Sequence, residues 1–533
     1  MPESPLPDAA VPAHERAGTR TTTRARRRTR GRGLAGALVL ALGLGAIGMG
    51  AFALARPSGA ATAAAHIGVI LEPTSLDVRR TPGVASGQLL IDNVYQGLVG
   101  VRSGSVSEIV PVLATALPEV SADGREYTFT LHRGVRFHSG DTLTADDVVA
   151  SLRETLTTEQ VGFTPREIAR LGKRTVKITL AEPNRELMRA LAGAPGVIVR
   201  AEETGPQDPG SSTEDVTSTA NGTGPYRLGE WQRGDHLTLT KNASYWGEPA
   251  TLDTAEFRFL TQGRDAVQAL KSGEVDVHTA LLPSLREEFA GNPEFTLARA
   301  AGPDVFTLAF NSAKAPLSDP RVRTALSRAI NTDAIIASQN GDGAPLGGPI
   351  SAGEPGYADL TAINAYDPSS AKQLLSEAGQ ENLNLTLAVP AHYDAAPLDL
   401  LKSQFSAVGV ALTVQQLDFP TWLEQVYTNH DYQLSYVDHA EVDTLASYAK
   451  PDSYLGYDSA FVQDRFAASA ATTDAAEAAR LRAEAAERVA QDAPAKWLYN
   501  YTPTNVIARQ VSGFPAANTN ARINLAGVTV AAH

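Results

Sequence analysis

The sequence predicts a mixed α/β protein of two lobes, and three observations carry that expectation. The chain has 533 residues, more than one ordinary core accommodates. Short alternating segments recur along it with capped helices between them. Residues 383–417 read as strand, helix, strand, the spacing of a parallel crossover. No period repeats. A content of 43% hydrophobic and 20% charged residues is that of a globular chain. The net charge is −13, yet residues 1–55 hold eight arginines against Glu3, Asp8 and Glu15, so the acidity lies in the remainder. Nucleic acid is therefore not an expected partner. The absence of cysteine excludes disulfides, thiol catalysis and thiolate metal sites.

The first elements concern location. Residues 1–32 form a basic arm with Arg24, Arg26, Arg27, Arg28, Arg30 and Arg32, and residues 33–55 are an apolar Ala/Gly-rich run long enough to cross a bilayer. Positive charge before the run keeps that end inside, so the body is expected outside the cytoplasm, with the run either a cleaved signal sequence or a membrane anchor. Gly43, Gly45 and Gly48 match G-x-G-x-x-G, but no strand precedes them, and the match carries no nucleotide reading.

The body then reads in order. Residues 67–71 form a first strand that leaves Glu72 at its carboxyl end, where open α/β sheets gather ligands. Tyr127, Phe129 and Leu131 alternate as a half-buried strand, and Val135 and Phe137 are expected to pair with it as a hairpin. Thr144 with Asp147 caps a helix carrying Val148, Val149 and Leu152. Residues 175–180 and 236–240 alternate as strands, 203–222 form a surface loop, and 305–310 make an apolar strand ending at Asn311. Asp319-Pro320 and Asp367-Pro368 open two helices, the first with Arg321, Arg323 and Arg328 off its buried stripe. A helix carrying Trp422 spans 419–427, a strand spans 432–437, an alanine-rich helix spans 475–491, and 497–507 is the last strand region.

These phrases, taken together, resemble the family 5 extracellular solute-binding proteins of ABC importers, the group of oligopeptide, dipeptide and nickel receptors. The resemblance rests on YTFTLHRGVRFHSGDTLTADDVV, NGTGPYRLGEW, KNASYWGEP, LKSGEVDV, FNSAKAPLSDPRVRTALSRAIN and YDPSSAKQLLSEAG in the family's order. It implies a two-lobed fold like that of periplasmic binding proteins, with an extra inserted domain, mixed sheets flanked by helices, and a hinge between lobes. It further implies a discontinuous domain I at 66–101, 222–313 and 497–533, a domain II at 102–221, and a domain III at 314–496. Crossovers near Asn311 and Trp497 would be the hinge. The implied function is capture of a peptide or similar solute between the lobes and its delivery to the subunits of an ABC permease in the membrane, by a monomer with no cofactor and no enzymatic activity. A lipidated cysteine, common in the family, is impossible here.

Candidate solute contacts are Asp438, His439, Glu441, Tyr436, Trp422, Asn311, Glu72, Tyr454 and Tyr457. Leu434, Tyr436 and Asp438 share one face of an apparent strand with Asp438 at its carboxyl end. Asp438 resembles the aspartate that pairs with a peptide's α-ammonium in peptide-binding relatives, although VDHAEVD departs from their usual phrase. Asp438, His439 and Glu441 also offer oxygen and imidazole donors in one loop, which leaves a nickel or metal-chelate receptor as an alternative, but no metal site is assigned. A secreted hydrolase using paired carboxylates is a further alternative, without G-x-S-x-G, H-E-x-x-H or S-x-x-K to support it.

Overall fold

Three sheets organise the chain in the computed structural model, which describes residues 63–81, 83–204, 220–300, 302–440 and 444–531. The basic arm, the apolar run, most of the 203–222 loop and Glu441 lie outside the described residues. Among those described, no helix is long and apolar enough to cross a membrane.

The first sheet has seven strands, in the order Phe295–Arg299, Thr504–Ala508, Val277–Leu281, Ala64–Val69, Thr254–Phe259, His236–Lys241, Tyr226–Gln232. Its central strand, Ala64–Val69, is parallel to both neighbours. The six-stranded sheet runs Gly343–Pro345, Ala495–Tyr501, Val305–Phe310, Leu434–His439, Leu383–Pro390, Val410–Leu417. Every residue of Val305–Phe310 is buried, as a central strand covered on both faces requires. Phe306, Leu308 and Phe310 enter the core under helices Pro320–Arg328, Pro368–Glu377 and Ala395–Ser406, whereas Val305 and Ala309 enter the core of the opposite face with Trp422, Trp497 and helix Ala475–Asp492. Leu383–Pro390, Ala395–Ser406 and Val410–Leu417 form the expected parallel crossover.

A four-stranded antiparallel sheet, Glu119–Val120, Glu126–Thr130, Thr175–Thr179, Glu167–Arg170, completes the set. The expected hairpin partner at Val135 and Phe137 is not a strand. Both edges of Glu126–Thr130 are already taken by its two neighbours, so these residues send their side chains into the core from a tight loop in which Arg136 bridges Thr142 and Val135 accepts from the Leu143 N–H. The helix that follows, Ala145–Thr155, carries the complete capping box of Thr144 and Asp147.

Two expectations shift for stated reasons. The region at 497–507 is two strands, Ala495–Tyr501 in the six-stranded sheet and Thr504–Ala508 in the seven-stranded one. The chain therefore crosses between these sheets at 300–304 and at 502–503, not at Asn311 and Trp497: Val305–Phe310 pairs on both sides within the six-stranded sheet. Arg323 is not on the open face of its helix. It is 6% exposed and donates to the carbonyls of Leu317, Ser318, Asp492 and Ala493, closing chain ends that lack other partners.

Candidate solute-binding site

The carboxyl ends of four strands, Ala64–Val69, Val277–Leu281, Leu383–Pro390 and Leu434–His439, open onto one cavity of about 140 Å³. It lies where the chain crosses between the two large sheets, so residues of both line it: Ile70, Leu71 and Ala280 from one, Phe306, Tyr436 and Tyr501 from the other. This is the crevice position at which open α/β sheets hold ligands.

Aromatic rings build its floor. Phe306 stacks on Tyr436 and Tyr499, each with centroids 5.0 Å apart, and meets Tyr393 and Tyr501 edge-on at 5.2 and 5.3 Å. Such geometries suit the quadrupoles of the rings and fix the wall. The hydroxyls of Tyr436 and Tyr499 lie 2.8 Å apart. A second wall is Phe419 stacked on Trp422 at 5.8 Å, with Trp422 Nε1 donating to Ser435 Oγ at 3.0 Å.

Polar groups sit at one end. The backbone N–H of Asp438 donates to the Tyr393 hydroxyl at 3.0 Å. Antiparallel pairing sets Phe306 opposite Asp438 and brings the Asp304 carboxyl, on the residue before that strand, against the Asp438 carboxyl. Asp304 is fully buried, and burial pushes its carboxyl up to about 6. Burial, reinforced by the neighbouring Asp304, also holds the Asp438 carboxyl well above the usual carboxylate range. Burial holds the imidazoles of His392 and His439 down at about 4, so both are neutral near pH 7.

Asp438, His439, Tyr436 and Trp422 thus share the cavity lining. Of the other expected contacts, Tyr454, Tyr457, Asn311 and Glu72 do not line it, and Glu441 lies outside the described residues. Tyr454 stands behind His439, its hydroxyl 2.9 Å from Nε2. Tyr457 donates to Asp492 at 2.7 Å. Asn311 is buried and donates to the carbonyls of His430 and Tyr432, at the opposite end of the strand from the cavity. Glu72 accepts from Trp231 Nε1 and the Gly234 N–H, each at 3.0 Å, and so fastens the first loop to the edge hairpin. Asp304, Phe306, Tyr393 and Tyr501 were missed by sequence reasoning. The crevice rule that nominates Asp438 would also have nominated His392, Tyr393 and Asp394, which follow a recognised strand. Asp304 needed the strand pairing. Among the described residues, no group of three or more His, Asp or Glu side chains is placed to hold a metal ion.

The family described as bacterial extracellular solute-binding proteins, family 5, middle region, matches residues 108–460. The chain belongs to this family. The family 5 receptor is 27% identical over 373 residues to the di/tripeptide-binding protein 2 of Pseudomonas aeruginosa strain UCBPP-PA14, covering 64% of this chain and 70% of that one. It is 28% identical over 465 residues to the glutathione-binding protein GsiB of Pectobacterium atrosepticum, covering 80% and 87%. Its fold is that of the periplasmic binding protein DppA of Helicobacter pylori solved with the peptide STSA, with a TM-score of 0.79, 21% identity and coverage of 88% and 98%. A binding protein of A. tumefaciens R10, AgaA, solved with agropinic acid, superposes with a TM-score of 0.78, 25% identity and coverage of 88% and 99%. The receptor therefore has the two-lobed periplasmic-binding-protein fold of mixed sheets flanked by helices.

Proposed function

We propose that this receptor captures a small amine-bearing solute, of di- or tripeptide size, outside the cytoplasm and hands it unaltered to the subunits of an ABC permease, acting as a monomer. The observation that carries this reading is an acidic residue, Asp438, at the polar end of a box of aromatic rings. A desolvated ammonium needs a charged, hydrogen-bonding partner, and apolar walls suit the side chains attached to it. The di/tripeptide-binding and glutathione-binding relatives point the same way.

Isothermal titration of the full-length protein against a dipeptide and tripeptide library, beside nickel and the nickel–histidine chelate, tests the reading. Saturable one-to-one binding of free-amine peptides, lost in Asp438→Asn, is expected. Binding of the nickel chelate alone would replace it with a metal receptor, and turnover of a bound peptide would replace it with a hydrolase.

A further inference from the structure

The contact between Asp304 and Asp438 goes beyond a single acidic anchor. Both carboxyls sit in a water-poor corner, and neither Asp304 Oδ2 nor Asp438 Oδ1 has a hydrogen-bond donor. Among the described residues, the side-chain amide that donates to Asp304 is that of Asn520, whose Nδ2 reaches Oδ1 at 2.6 Å. Gly302 leaves room for the carboxyl, since a Cβ there would stand 2.0 Å from Asp304 Oδ2.

Facing the pair are Tyr393, Tyr436, Tyr499 and Tyr501, the neutral His392 and His439, and two further acids, Asp342 and Asp394. Asp342 is already held by Arg286 and Arg299, and Asp394 by Ser284. Among the described residues, no lysine or arginine pairs with Asp304 or Asp438. Two ionised carboxylates in contact inside a low-dielectric pocket repel strongly, so the empty pair keeps a proton between them.

We propose that Asp304, buried behind the cavity, and Asp438, which lines it, share one proton in the empty receptor, and that a cationic head group, a primary ammonium or a guanidinium, seats on Asp438 by exchange for that proton. This rests on the cavity being the solute site, as argued above. The balance is simple: one cation enters, both carboxyls become carboxylates, and one proton leaves to solvent. Asp304 thereby sharpens specificity, because a neutral solute, an N-acetylated peptide included, brings no charge to replace the proton.

Two measurements on the full-length protein decide it. In the first, carboxyl-carbon NMR of the ligand-free protein should show one aspartate that stays protonated above pH 7 and whose signal disappears in both Asp304→Asn and Asp438→Asn. Absence of any aspartate protonated above pH 6 overturns the proposal, whatever the protein binds. In the second, leucyl-phenylalanine, its N-acetyl derivative and agmatine are titrated calorimetrically at pH 7.5 in buffers of different ionisation enthalpy. The amines should release about one proton per site, the acetylated peptide should not bind, and Asp304→Asn should still bind an amine while releasing less than half a proton. Amine binding with no proton released overturns the exchange and leaves the proposed function standing. A retained proton with no amine bound overturns the seat together with the amine reading.

Discussion

Ser284 donates its hydroxyl to Asp394 Oδ1 at 2.7 Å, and its backbone N–H reaches the other oxygen of the same carboxylate at 3.3 Å. Asp394 precedes helix Ala395–Ser406 at the capping position, yet its side chain makes no cap bond. It reaches instead to the segment Pro283–Phe289, which follows a strand of the seven-stranded sheet. Arg286 and Arg299 extend the same seam through Asp342, the latter at 3.0 Å. On another part of the surface, Arg185 Nε donates to the Thr472 carbonyl at 2.7 Å. The Ser284–Asp394 contact ties the seven-stranded sheet's side to that of the six-stranded sheet, and opening of a two-lobed receptor is expected to break contacts of this kind.

Asp394→Ala should therefore speed solute release more than it slows capture. A lost hydrogen bond of this kind is worth about 1 kcal/mol, or about a five- to tenfold faster dissociation in stopped-flow displacement. An unchanged release rate would show that the seam does not report closure.

Trp422→Ala should destabilise the fold by roughly 3–5 kcal/mol, because the indole is buried, stacked on Phe419 and bonded to Ser435. Trp422→Phe keeps the wall but leaves the Ser435 hydroxyl without its donor, and should cost about 1–2 kcal/mol. Urea melts distinguish the two.

Helix Pro320–Arg328 offers an internal comparison. Asp319→Ala removes the bond to the Arg321 N–H and should cost about 1 kcal/mol. Arg323→Ala leaves the carbonyls of Leu317, Ser318, Asp492 and Ala493 without their donor and should cost roughly 3 kcal/mol or more. Neither side chain lines the cavity, so solute affinity should survive in both.

Acid and base should act on stability in opposite senses through different groups. Burial lowers His278, His392 and His439 to about 4. The unfolded chain then binds more protons, so the stability these groups allow is present above about pH 6.5 and lost as pH falls through 4. Asp304 is raised to about 6; its contribution is fully present below about pH 4 and lost as pH rises through 6. Asp304→Asn should accordingly raise the melting temperature of the empty protein at pH 8 and leave it nearly unchanged at pH 4. His278→Leu should flatten the acid side.

Local signals explain what the sequence made legible. Thr144 with Asp147, Asp319-Pro320 and Asp367-Pro368 announce their helices because caps and proline act within one turn. The strand Leu434–His439 was legible through alternation and length, and its carboxyl end led to the cavity. What failed was non-local. Asp304 is only an acid before an apolar strand until that strand pairs antiparallel with Leu434–His439. Arg323 reads as solvated until the ends of neighbouring segments present carbonyls to it. Asn311 and Glu72 were nominated for lying at strand ends, but Asn311 follows its strand at the end away from the cavity, and the side chain of Glu72 turns to Trp231.

Native mass spectrometry of the full-length protein with an equimolar panel of free-amine dipeptides, followed by release and weighing of the bound species, tests the central claim most directly. One intact dipeptide per chain, recovered at its starting mass, is the predicted result. Recovery of a cleaved or otherwise altered peptide, or a protein that stays empty across the whole panel, would contradict it.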